Sequence, residues 1–166
     1  MISQPMQDAL NEQIRNEMHS AYVYLSMAAY FESVPFEGFA AWMRVQAQEE
    51  MLHAMKIFDH LLDRGGAVRL QAIPEPPHAF EGPLAVFEEA LQHEQDVTRS
   101  IHELYALSLS EKDFASRVFL DWFVSEQVEE EKSALLIVEQ LRMVGKDLPG
   151  LLLLDQRYGQ RTPEPA

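Results

Sequence analysis

Glu50 and His53 stand three residues apart in the run Gln48-Glu49-Glu50-Met51-Leu52-His53. On a helix that spacing puts a carboxylate and an imidazole on one side, where an oxygen and a nitrogen can converge on one point. Both fall within the stripe Phe39, Met43, Gln46, Glu50, His53, Ile57 and Leu61. Its steps of three and four mark the core face of an amphipathic helix. A buried carboxylate needs a partner, and a metal ion is an economical one. Glu-x-x-His alone is short and common, so a surface helix of slightly different phase is the competing explanation.

Three more stripes carry the same kind of intruder. Glu17 interrupts Leu10, Ile14, Ala21, Tyr24, Ala28 and Phe31. Glu94 interrupts Phe87, Leu91, Thr98, Ile101, Tyr105 and Ser108. Gln127 and Glu130 interrupt Leu120, Phe123, Ala134, Ile137 and Leu141. The four glutamates carry charge that two divalent cations would balance. Four carboxylates and one imidazole suit iron or manganese better than zinc, and the histidine argues against calcium or magnesium. The alternative is a polar network satisfied by hydrogen bonds.

These residues need helices to position them. The patterns predict a helix from about Pro5 to Glu32, broken at Ser33-Val34-Pro35-Phe36, and a second from Phe36 to about Asp63. A third spans about Pro83 to Leu109. A fourth ends near Val144 before Gly145, and a short fifth runs from Leu148 to Tyr158. The connection over residues 66–82 holds Pro74, Pro76, Pro77 and Gly82. Fully extended it reaches about 58 Å, more than the roughly 42 Å of the helix before it. It can therefore return the chain to the end where the second helix began. The expectation is an all-α four-helix bundle, two antiparallel hairpins joined by a long crossover, with a short C-terminal fifth helix. One domain covers 1–166: the bundle over about 5–144, the fifth helix over about 148–158, and 159–166 as a frayed tail. Glu17 lies about 18 residues before its turn and Glu50 about 15 after it, so the hairpin brings them within about 5 Å of one height. Glu94, Gln127 and Glu130 meet similarly in the second hairpin. Misread phases would scatter such residues.

Composition narrows the class. The chain has 166 residues, 47% of them hydrophobic, with seven glycines, a net charge of −14 and no cysteine. That supports one helical domain with a substantial core. The acidity disfavours nucleic acid and anionic membrane and favours cations, although solubility alone explains it too. Without cysteine there is no disulfide, thiolate zinc site or iron–sulfur cluster, which suits a reducing cytoplasm. No secretory signal and no stretch long enough to span a bilayer is visible.

The segments Asn11-Glu12-Gln13, Gln46 to Met51, His93-Glu94-Gln95 and Val124 to Lys132 together resemble ferritin, specifically the non-haem bacterial type. The resemblance covers nearly the whole chain, and its motifs are specific only in combination; the bundle class with inward glutamates and Glu-x-x-His is a known one. It implies a ferroxidase centre. Glu17, Glu50 and His53 would bind a first iron, with Glu50 bridging to a second held by Glu94 and Glu130. Gln127 would sit on the oxygen side, and Tyr24 would donate a hydrogen bond or an electron. Glu49, Glu126 and Glu129, with Glu130, would hold a third iron; the alternative for them is a solvated acidic face. Oxygen or hydrogen peroxide would oxidise Fe(II), and the product would mineralise inside a homo-oligomeric shell of 24 subunits whose four-fold pores the fifth helix lines. A fifth helix folded back onto its own subunit is the alternative. The carboxylates that lead iron inward in animal ferritins have no clean counterpart beyond Asp113 and Asp121.

Bacterioferritins and rubrerythrins place a second Glu-x-x-His where this chain has Gln127-Val128-Glu129-Glu130. Met51 matches the haem-ligating methionine of bacterioferritin, but such a methionine first serves packing, and haem is not expected. A di-iron peroxidase acting in oxidative stress, a bacterioferritin-like haem protein, and a metal-free structural bundle are the competing functions. His60 could face inward but is expected at the surface or a helix end, Trp122 is expected to anchor the core, and His93 fits no ligand spacing.

Overall fold

The computed structural model describes residues 1–164; Pro165 and Ala166, part of the expected tail, lie outside the described residues. Five helices follow in order: α1 Gln4–Ser33, α2 Glu37–Asp63, α3 Pro83–Ser110, α4 Phe114–Val144 and α5 Leu148–Tyr158. Local chemistry sets their ends. Ser3 caps α1 by accepting from the Met6 N–H at 3.3 Å. Asp113 caps α4 and Asp147 caps α5, each accepting from an N–H three residues on at 3.0 Å. Among the described residues no helix is long and apolar enough to cross a membrane.

The bundle has two apolar ends with a polar layer between them. One end gathers Tyr24, Met27 and Phe31 from late α1, Phe39 and Met43 from early α2, Phe87 from early α3, and Ile137 and Leu141 from late α4. The other gathers Leu10 and Ile14 from early α1, Ile57 and Leu61 from late α2, Ile101 and Leu104 from late α3, and Leu120 and Phe123 from early α4. So α2 and α3 begin at the same end, and the crossover returns the chain as its length allowed. It lies along α1. Asn11, buried on that helix, donates to the Ala67 carbonyl at 2.9 Å and accepts from the Arg69 N–H at 2.6 Å. Further on, Ser26 donates to the Pro77 carbonyl at 2.5 Å and Tyr30 meets Phe80 edge to face.

The stripes expected for α1, α2 and α4 are buried as predicted. In α3 the stripe is rotated: Leu91, Thr98 and Tyr105 are half-buried, while Val86, Ala90, Val97 and Leu104 face inward. α5 folds back onto α2 and α4 of its own bundle. Leu154 enters the core, and Leu152 and Leu153 stay exposed. Asp155 accepts from the Phe39 N–H at 2.8 Å, capping α2 where Phe36 supplies no side-chain cap. Contact is close enough that a Cβ on Gly38 would lie 1.8 Å from the Asp155 carbonyl oxygen. Residues 159–164, expected to fray, instead return across α2 through Arg161 and Glu164. Proline and glycine there mark a chain that is not helical, which is different from one that is loose.

Candidate metal centre

Each helix of the bundle lends the polar layer at least one group. Glu17, Glu50, His53, Glu94, Gln127 and Glu130 are all buried. Glu17, Glu50 and His53 each offer a ligand atom within 4.8 Å of the other two. Glu50, Glu94 and Glu130 do the same. Two adjoining sets of three therefore share Glu50. Sequence spacing along α2 places Glu50 and His53 one turn apart, and the two hairpins supply the rest.

In the first set His53 Nδ1 is 3.3 Å from Glu50 and 3.8 Å from Glu17. The longer distance is that of an ion pair, not a hydrogen bond. Gln13 donates to Glu17 Oε1 at 2.9 Å, but among the described residues Glu17 Oε2 has no hydrogen-bond partner despite its burial. Burial alone would neutralise His53; Glu17 and Glu50 overcome it and raise its pKa to about 11. Burial also opposes ionisation of Glu17, yet the neighbouring imidazolium, with help from Glu50 and Gln13, holds it low. An ionised carboxylate with an idle oxygen is a ready metal ligand.

The second set has no cation of its own. Burial, and then the charge of Glu94, raise Glu130 to about 8 and push Glu50 well above the usual carboxylate range. Burial raises Glu94 as well, against the pull of its hydrogen bonds from Tyr24 and Gln127. The Tyr24 hydroxyl donates to Glu94 Oε1, and burial followed by the surrounding glutamates keeps that hydroxyl protonated. Gln127 donates to Glu94 Oε2 and to Thr98 at 3.1 Å. These donors and protons stand where positive charge belongs. Oxygen-rich sets with one imidazole fit a pair of divalent iron-type ions, and binding them releases protons.

Sequence reasoning missed two glutamines. Gln46 donates to Glu50 at 3.1 Å and to Glu130 at 2.7 Å, tying the two sets together. Gln13 steadies Glu17. Each lies four residues before the glutamate it serves, a spacing that could have flagged both. Arg161, which donates to Gln46 Oε1 at 2.8 Å, had no local signal at all.

The expected third set does not assemble as a unit. Glu49 is buried but engaged by Arg161, Glu129 is exposed, and Glu126 groups with His53 and Glu130 instead. Trp122 is no core anchor: it is exposed, edge-on to His53 at 5.3 Å, with the Lys56 ammonium 4.6 Å from its ring centre. His60, in the last turn of α2, stacks on Phe119 at 4.0 Å and pairs with Ser116 of α4, the helix-end one of its two expected roles. His93 pairs with Ser20 at 2.7 Å. Asp113 is occupied as a cap and by Arg64 at 2.7 Å. Met51 is exposed on the outer face of α2.

The ferritin family profile, a ferritin-like domain, matches residues 7–144. This chain belongs to the ferritin family. Bacterial non-heme ferritin of Bacteroides fragilis is 44% identical over 161 residues, covering 97% of this chain and 100% of that one. The Staphylococcus haemolyticus protein of the same description is 38% identical, covering 98% of both chains. Among solved structures, an open pore ferritin from the hyperthermophilic archaeon Archaeoglobus fulgidus superposes with a TM-score of 0.97 at 54% identity, covering 98% of this chain and 100% of that one. Placement in the non-haem bacterial type of ferritin agrees with the absence of a second Glu-x-x-His on α4.

Proposed function

We propose that this chain stores iron, oxidising Fe(II) at a two-ion ferroxidase centre in each bundle. The observation that carries the reading is the pair of buried ligand sets sharing Glu50. One ion would be held by Glu17, Glu50 and His53, the other by Glu50, Glu94 and Glu130. Two Fe(II) ions side by side can deliver two electrons to one molecule of dioxygen or hydrogen peroxide. Gln46 and Gln127 keep the glutamates aimed inward, and Tyr24 holds Glu94 by its hydroxyl. The protons on His53 and Glu130 leave as the ions arrive.

Storage requires a container. We propose a closed homo-oligomer of 24 subunits in the cytoplasm. The exposed apolar side chains Tyr22, Leu25 and Met51, which line one groove with Met18 and Ile73, support subunit packing through the α1–α2 face. The relatives' description as ferritins supports iron as the cargo.

The test adds Fe(II) to metal-free protein without oxygen, admits air, and follows oxidation while iron per particle is counted by sedimentation. Rapid oxidation and a dense core in a large particle are expected, with the fast phase lost in Glu50→Ala and His53→Ala. Oxidation that stops at the two bound ions in a small oligomer would replace storage with the peroxidase reading.

A further inference from the structure

The segment after α5 ends on the rim of the metal centre. Arg161 Nη2 lies 2.5 Å from Glu49 Oε2, and Nη1 donates to Gln46. The Glu164 N–H donates to the other Glu49 oxygen at 3.1 Å. Both oxygens of Glu49 are thus taken by one short stretch of chain. The guanidinium also lies over Trp42, 4.5 Å from the ring centre, so three neighbours hold it. A planar, permanently charged group fixed in this way is far better placed than a surface lysine to neutralise a carboxylate.

Glu49 itself lines a crevice of about 30 Å³, together with His53, Lys56, Trp122, Glu126 and Glu164. With His53 committed to the first ion, Glu126 and Glu130, whose ligand atoms approach within 4.8 Å, are the groups left there for a further ion, Glu130 through its second oxygen. An ion settling there would seek Glu49 as a further ligand and would meet Arg161 first. A tethered group competes at an effective concentration in the millimolar range without being consumed.

We infer that Arg161 withholds Glu49 from metal, so that the C-terminal segment limits each chain to the two ions of the buried pair. This rests on the two-ion reading of the centre. The guanidinium acts as a resident cation, and the segment from Gly159 to Glu164 is its tether.

Anaerobic Co(II) titration of the full assembled protein tests this, with calorimetry and the visible Co(II) bands read together. Two ions per chain are expected in the unaltered protein and three in Arg161→Ala. Adding Glu49→Gln to Arg161→Ala should return the count to two. A count of two in Arg161→Ala, or of three in the unaltered protein, overturns the inference and leaves the two-ion centre standing. No Co(II) binding in the unaltered protein would instead overturn the centre itself, and the inference with it.

Discussion

The Glu17–His53 half of the centre and the Glu94–Glu130 half share Glu50 but handle charge in opposite ways. The first half is an ion pair, with an imidazolium holding a glutamate ionised. The second is a proton store, in which burial and the charge of Glu94 favour the protonated form of Glu130. Both devices keep an acidic interior folded before metal arrives. They show that a buried ligand cluster needs a stand-in for its cation, and that a histidine or a proton can serve.

Breaking the shared residue should have the largest effect. Glu50→Ala removes a ligand from both sets, so the loss of Fe(II) oxidation should exceed the roughly 10–100-fold typical of outer partners; stopped-flow absorbance measures it. The next pair of substitutions separates the halves. His53→Ala leaves Glu17 without its counter-charge, so the metal-free protein should lose about 3–5 kcal/mol. Glu130→Gln should raise metal-free stability, because a neutral amide replaces a carboxyl whose ionisation is unfavourable there. Both should weaken metal binding, and denaturant unfolding of each metal-free variant reads the opposite signs.

The acid–base behaviour sharpens the contrast. Folded Glu130 titrates at about 8 against 4.5 for the free group. The folded chain therefore holds the extra proton between those values, and metal-free stability falls as pH rises across that window. His53 acts in the same direction, its contribution whole below 6.5 and lost as pH rises through about 11. Glu17, held low, acts oppositely and only on the acid side, below 4.5. Melting temperature should thus decline from pH 5 to pH 8 without metal, and metal loading should remove much of the decline. The smallest effect belongs to Tyr24→Phe, which deletes one donor to Glu94. It should cost about 1 kcal/mol of stability, with Co(II) stoichiometry unchanged.

Much of this was legible because helical periodicity exposes polar residues on apolar faces. Glu17, Glu50, His53, Gln127 and Glu130 stood out for that reason, and the structure buries each in one layer. The phase of α3 was harder to read. Its buried face is broad, and a single line of residues through Glu94 traced one edge of it, missing Ala90 and Val97. The C-terminal segment was illegible in principle. Arg161 meets Gln46 and Glu49 across more than a hundred residues of sequence, and nothing in Gly159 to Ala166 announces such a contact. Glu49 entered only through the family resemblance, with a solvated face as its alternative, so neither its burial nor its pairing with Arg161 was legible.

The crossover over residues 64–82 gives the molecule a seam. On one side of it, α1 and α2 carry Glu17, Glu50 and His53 complete; on the other, α3 and α4 carry Glu94 and Glu130, which need Glu50 from across the gap. A chain cut between Pro76 and Pro77 would become two hairpins with unequal endowments, one able to bind an ion alone and one not. Metal would then act as the rivet between the pieces. Reassembly of the split protein should depend on it, as mixing the two fragments with and without Co(II) on a sizing column would reveal.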